Sequence, residues 1–388
     1  MNRNLWLLAL CQGLFLTNNV TFIAINGLVG LALAPYGWMA TLPVMGYVVG
    51  GALATPLVAH TQARFGRKTS FQIGLAVAIV SALVGAWAVA SKEFWWLVAT
   101  TVVAGYYSAN GQLYRFAAAE LAPSTFREKA VSLVLAGGLI GAIAGPNLAA
   151  QTRGLMAVPF AGAYLALVGV GILAMVLMAF VQFPASPTTA AQRNPGRPLR
   201  EIARQPAFVV ACITASLGYG VMNLLMAATP LAMQQCGLGF DDAAFVLEWH
   251  VIGMFAPGFF TGHLIKRFGT LTIMGVGVVL NLLCIAIALS GVELHQFAIA
   301  LFLLGVGWNF LFTGSTTLSL ATYRPEEKDR AQAALNFAVF AVMAVSSLAS
   351  GALVVTQGWA LLNLGSLPLV VLTGAAVGWL AWRQRQPA

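Results

Sequence analysis

The sequence predicts an all-α membrane protein, twelve transmembrane helices in two six-helix bundles, and three observations carry that expectation. Of the 388 residues, 60% are hydrophobic and only 8% are charged. So little charge cannot cover a water-soluble surface of this size, so lipid must be the solvent for much of the chain. Apolar runs of about 20 residues, the length that crosses a bilayer core, recur from one end to the other. Finally, one loop occurs twice: "ARFGRKTSFQIG" at 63–74 returns as "KRFGTLTIMGVG" at 266–277.

The runs fall near 5–31, 39–61, 70–90, 94–118, 130–150, 159–181, 207–231, 244–265, 270–290, 296–321, 331–355 and 359–382. Each is continuous and lacks a period of two, which selects helices over barrel strands. The first could be taken for a secretory leader ending at Ala32-Leu33-Ala34. That site lies too far along, and Asn18, Asn19 and Asn26 interrupt the run, so a retained first helix is expected. The longest polar stretch, about 184–206, separates the spans six and six. The expected organisation is therefore an N-terminal bundle over 1–181, a cytoplasmic linker over 182–206 and a C-terminal bundle over 207–388. Such a duplication in membranes usually means two bundles around a central path.

Orientation follows from the basic residues. With the N-terminus inside, eighteen of the 20 lysines and arginines fall in inner loops, tails and helix ends, leaving only Lys92 and Arg153 outside. That bias puts both termini in the cytoplasm. The net charge of +9 is then a topology signal and an affinity for anionic membrane lipid, not a nucleic-acid footprint. The four cysteines, Cys11, Cys212, Cys236 and Cys284, form no CxxC pair, so neither a disulfide framework nor a zinc knuckle is indicated.

The loop after span 2, with Arg64, Phe65, Gly66, Arg67 and Lys68, resembles the signature loop of the major facilitator superfamily. Its echo carries Gly262, Arg267, Phe268 and Gly269 at the corresponding place. The resemblance covers the whole chain and implies the major facilitator fold and an alternating-access cycle. Arg64, Gly66, Arg67, Lys68, Arg267 and Gly269 are the gating-loop positions. The family's acidic residue is absent, with Ala63 and Lys266 in its place, which puts a latch built on that carboxylate in doubt.

Enzymatic chemistry finds little support. No GxxxxGK[ST] or HExxH occurs, and His60, His250, His263 and His295 lie in separate segments, so neither an ATP-driven engine nor a zinc protease site is expected. Ser315 sits in Gly-rich surroundings, but no serine shares an elbow motif with a histidine. Polar residues inside spans are costly and usually face a bundle interior. Asn19, Asn110, Arg115 and Asn309 lie in spans 1, 4 and 10, which with span 7 line the cavity in the fold this resembles. Interhelical hydrogen bonding is the plain alternative for each. No carboxylate occupies the middle third of a span, so proton coupling would fall to Glu248, His250 or Glu120.

Met222 and Met226 stand four apart in span 7, and His250 and Met254 four apart in span 8. That spacing places each pair on one helix face. At 1.5 Å per residue the four side chains occupy one layer, about 7 to 15 Å below the outer helix ends. Methionine is an ordinary core filler, and a histidine satisfied near Trp249 or by Asn223 is an economical reading. As ligands, thioethers and an imidazole would favour Cu(I). Met233 and Cys236, at the outer mouth, would be either relay residues or plain loop residues.

These motifs, within "WHVIGMFAPGFFTG", resemble those of the CcoA-type copper importers. The resemblance implies copper carried as substrate into the cytoplasm across a bacterial inner membrane, with Met222, Met226, His250 and Met254 as the metal site and no permanently bound cofactor. It further implies a link to cytochrome oxidase assembly factors, copper being supplied to that oxidase. The fold needs no second subunit to form a path, so a monomer is expected. A facilitator of a small organic solute, with the Met and His side chains merely packed, is the alternative. A static membrane subunit has no use for two gating loops.

Overall fold

The computed structural model describes residues 3–36, 39, 42–183 and 196–385. Residues 184–195, including Pro184 and Arg193 of the expected linker and hinge, lie outside the described residues. Fourteen α-helices follow in order: α1 Arg3–Leu33, α2 Leu42–Ala90, α3 Phe94–Gly111, α4 Tyr114–Leu121, α5 Arg127–Ala136, α6 Gly138–Thr152, α7 Ala161–Phe180, α8 Leu199–Ile202, α9 Pro206–Gln235, α10 Phe240–Phe255, α11 Gly258–Phe268, α12 Thr270–Ser290, α13 Leu294–Leu320 and α14 Lys328–Arg385. No strand occurs among the described residues, as the absence of period-two alternation predicts.

Nine stretches among the described residues are long and apolar enough to cross a membrane. The fourteen helices, the four-residue α8 aside, and the twelve expected spans are reconciled by how the passes join and break. The 49 residues of α2 would extend about 74 Å as one rod, more than twice a hydrocarbon core. Gly66, at φ 81 and ψ 169, breaks it into two passes. Gly358, at φ 77 and ψ 175, does the same in the 58-residue α14. Conversely, α3 with α4, α5 with α6, and α10 with α11 each make one interrupted pass. The last interruption falls at Pro257, where the ring and missing N–H of proline favour a break.

The chain forms two compact units, one of Met1–Ser124, Gly137–Asn194 and Gln332–Phe340, the other of Thr125–Ala136, Pro195–Ala331 and Ala341–Ala388. Thus α5 groups with the second unit, and Gln332–Phe340 of α14 with the first. In the first unit α2 and α3 cross in direct backbone contact. A Cβ on Gly50 would lie 2.0 Å from the Val102 carbonyl oxygen, and one on Gly105 would lie 2.2 Å from the Gly50 carbonyl carbon. In the second unit α10 and α13 repeat that crossing, where a Cβ on Gly305 would lie 2.4 Å from the His250 carbonyl oxygen. Glycine at helix crossings is how membrane helices gain van der Waals contact when lipid offers no hydrophobic drive.

The duplication reaches the backbone of the two loops. Gly269 adopts φ 87 and ψ 152, close to the values at Gly66, and a positive φ of this kind suits only glycine without strain. Beside them the Arg64 guanidinium lies 5.3 Å from the Phe65 ring centroid, and Arg267 lies 5.1 Å from Phe268.

Candidate functional site

The first loop builds a buried polar cluster in the first unit. Arg67 is only 5% exposed. It pairs with the Glu120 carboxylate and donates to the Gln62 side-chain oxygen and, at 2.6 Å, to Gln332 Oε1. A buried guanidinium is tolerated only when its planar donors are met in this way. The carboxylate that Ala63 lacks is therefore supplied from α4 by Glu120, a residue that the sequence alone offers only as a proton carrier. Lys68 donates its ammonium to the Ala179 carbonyl at 2.5 Å, near the C-terminus of α7, where a cation meets the negative end of a helix dipole. In the second unit Lys266 donates to the Thr125 carbonyl at 3.0 Å.

Most polar residues within the spans are engaged in helix packing. Asn309 donates to the Met254 carbonyl at 2.7 Å and accepts from the Thr261 hydroxyl at 2.7 Å. Asn110 donates to the Tyr106 carbonyl and accepts from Ser70. Arg115 is 1% exposed; it donates to Asn336 Oδ1 at 2.9 Å and to Gln112, with its guanidinium over the Phe116 ring. Asn19 is half-buried on α1. For Asn110 and Asn309 these partners supply the plain alternative, interhelical and local hydrogen bonds.

Met222 and Met226 stand on α9, and His250 and Met254 on α10, all in the second unit. Met222, Met254 and His250 are buried and Met226 is half-buried. His250 is satisfied at one nitrogen, but not by Asn223 or by Trp249. Its Nδ1 lies 2.7 Å from the Leu301 carbonyl on α13, while Asn223 turns instead to Ser346 and Ser347 of α14. The other nitrogen, Nε2, is buried with no hydrogen-bond partner among the described residues. No group of three His, Cys, Asp or Glu side chains gathers among the described residues, so a metal at His250 would rest on thioethers for its remaining donors. Met233 is buried near the end of α9 and Cys236 is exposed just after it.

Two turns further along α13 stands a cluster of rings that the sequence alone does not mark. Trp308 stacks on Phe312 with centroids 4.8 Å apart and planes at 19°. Tyr219 of α9 meets both edge-on at 5.4 Å, and Phe255 of α10 meets Trp308 at 5.8 Å. The signal was the i,i+4 pair Trp308 and Phe312, but helical aromatic pairs are so common in apolar cores that spacing alone does not mark one. Trp308 Nε1, like His250 Nε2, is buried without a partner among the described residues.

Twelve helical passes, glycine crossings repeated in two units and a twice-used basic loop define a polytopic membrane protein with the architecture of a transporter. The chain belongs to the Major Facilitator Superfamily, whose model matches residues 5–257 and 221–388. It is 36% identical over 372 residues to the riboflavin transporter RfnT of Brucella anthropi, covering 95% of this chain and 94% of that one. It is 25% identical over 368 residues to YddS of Bacillus subtilis, an uncharacterised transporter of the same type, covering 90% of this chain and 84% of that one. Among solved structures, a bacterial homologue of the iron transporter ferroportin in its outward-facing state superposes with a TM-score of 0.78 at 15% identity, over 99% of this chain and all of that one. The human organic anion transporter MFSD10 gives 0.78 at 14%, over 97% and 100%. At such identities the structures share the fold alone. The chain is a secondary transporter of a multi-pass membrane type and not an enzyme.

Proposed function

We propose that this protein carries a small organic solute built on a flat, hydrogen-bonding heteroaromatic ring, riboflavin being the first to test, across a bacterial inner membrane by alternating access. The observation that carries this reading is the 36% identity to a riboflavin transporter along nearly the full length of both chains. It favours the organic-solute alternative over copper import. The ring cluster of Tyr219, Phe255, Trp308 and Phe312 supports it, since stacking a planar ligand on such side chains is worth about 1–3 kcal/mol per ring. In this reading the two six-span bundles rock about a central path, Arg67 and Lys68 hold the inner loop, and the termini face the cytoplasm.

Expression in a bacterium unable to make riboflavin tests the proposal. Growth on micromolar riboflavin and uptake of the labelled vitamin are expected with the protein and absent from the empty-vector control. Uptake equal to that control would remove riboflavin as the substrate.

A second reading, copper import, is favoured by one observation: the buried Nε2 of His250, without a hydrogen-bond partner among the described residues, one helical turn from Met254. It predicts copper accumulation that the Met222→Leu and Met226→Leu variants lose, since leucine keeps the volume and removes the sulfur. Accumulation unchanged in both variants would make these methionines core filler.

A further inference from the structure

A carbonyl oxygen can only accept a hydrogen bond. The Nδ1 of His250, 2.7 Å from the Leu301 carbonyl oxygen, must therefore carry the ring proton. In the neutral imidazole this leaves the lone pair on Nε2, so that atom is an acceptor with no donor before it among the described residues. The ring is 0% exposed, and a buried acceptor left unmet costs roughly 1–3 kcal/mol. Nor can the side chain easily turn elsewhere. The α10 and α13 backbones touch at this level, where a Cβ on Gly253 would lie 2.7 Å from the Phe302 carbonyl oxygen and one on Gly305 would lie 2.4 Å from the His250 carbonyl oxygen. No larger residue fits at either glycine without moving a helix, so the Leu301 carbonyl is held where it fixes the tautomer.

Leu301 and Trp308 are seven residues apart on α13, which returns them to nearly the same face about 10 Å apart along the axis. The stacked and edge-on rings around Trp308 therefore continue the stripe that His250 begins. From this juxtaposition we infer that His250 Nε2 is the specificity-determining acceptor of the transport site, receiving a hydrogen bond from a ring N–H of the solute, as a heteroaromatic lactam or imide presents. The inference rests on the proposed organic substrate and adds the residue that reads its polar edge. Neutral imidazole is the form required, because a protonated ring would place a second donor against the donor of the ligand.

The full-length protein in lipid nanodiscs, with riboflavin and its N3-methyl derivative as probes, tests the inference by equilibrium binding. Methylation replaces the imide N–H by a group that cannot donate. The parent protein should bind riboflavin about tenfold more tightly than the methylated compound, the ratio that one well-made hydrogen bond supplies. His250→Leu should bind both alike, at the weaker level, whereas His250→Gln, which keeps an acceptor oxygen, should retain part of the ratio. If His250→Leu does not yield folded protein, the parent and His250→Gln ratios decide the matter. Equal binding of the two probes by the parent overturns the assignment, as does full discrimination in His250→Leu or its complete loss in His250→Gln. Binding of neither probe by the folded parent overturns the flavin reading itself and this assignment with it.

Discussion

Glu327 shows what a single side chain contributes outside the apolar spans. It ends the short 3-10 turn Pro325–Glu327, ahead of the apolar stretch that begins near Ala331, and is fully buried. The Arg197 guanidinium donates to both its oxygens, at 2.9 and 2.7 Å, and the Arg197 and Arg324 backbone N–H groups add bonds at 2.8 and 2.9 Å. Hydrogen bonds from the Arg197 side chain lead in holding the carboxyl down to about 2, against an ordinary 4.5. A carboxylate depressed by folding stabilises the folded state above its unfolded pKa and loses that contribution as pH falls through the folded one. The stabilisation should therefore be complete above about pH 4.5 and vanish toward pH 2. Arg197→Ala should lower the melting temperature of the purified protein clearly at pH 7 and by much less at pH 2.5; an equal drop at both would show that the pair is not the cause. Little of this was legible in the sequence, because Arg197 and Glu327 are 130 positions apart and nothing local marks either as a partner. His250 was legible as a costly residue within a span, but its partner, a main-chain carbonyl on another helix, leaves no trace in residue identity.

Helices were far more legible than their contacts. A continuous apolar run announces a pass through lipid whatever lies beside it, so the twelve spans could be placed from hydropathy and the break at Gly66 from its loop. The interruptions at Leu113, Gly137 and Pro257 were not placed, since one residue in a long apolar run shifts its hydropathy little. Glycine crossings were equally silent, because a close approach depends on which face of each helix meets the other. The structure separates the glycines clearly. A Cβ on Gly105 would lie 2.2 Å from the Gly50 backbone, whereas one on Gly169 of α7 would meet nothing within 4 Å. Gly105→Val should thus drive α2 from α3, at a cost of about 1–3 kcal/mol or more for overpacking, while Gly169→Val should be nearly neutral. Thermal stability in detergent separates them, and equal melting temperatures would contradict the direct crossing.

For the whole molecule, the family was readable from the duplicated loop and the count of spans, but the cargo was not. The motifs at 222–226 and 250–254 pointed to copper by resemblance, yet a fold shared by carriers of unrelated solutes leaves the substrate to a few side chains. Those that support an organic ring are scattered over α9, α10 and α13 and come together only in space. Orientation is decided for the molecule as a unit by its basic residues. Cys236 follows α9 and is exposed, while Cys11 and Cys284 are buried and Cys212 is half-buried. With the N-terminus inside, the end of α9 faces outward, so a membrane-impermeant maleimide should label Cys236 in intact spheroplasts and lose that label in Cys236→Ser. Labelling only after lysis would reverse the topology.

The near absence of a connector at Gly66 also bears on how the protein is made. The polar stretch 62–69 between the two apolar passes is short and helical on both sides of Gly66, which leaves little tether for the first pass to settle in lipid before the second follows. The two passes should therefore insert as a pair, with Arg64, Arg67 and Lys68 at the tip favouring the cytoplasmic side for it. The joint at Gly358 predicts the same pairing for the last two passes, so the order of assembly would be partly written into two residues that carry no side chain at all.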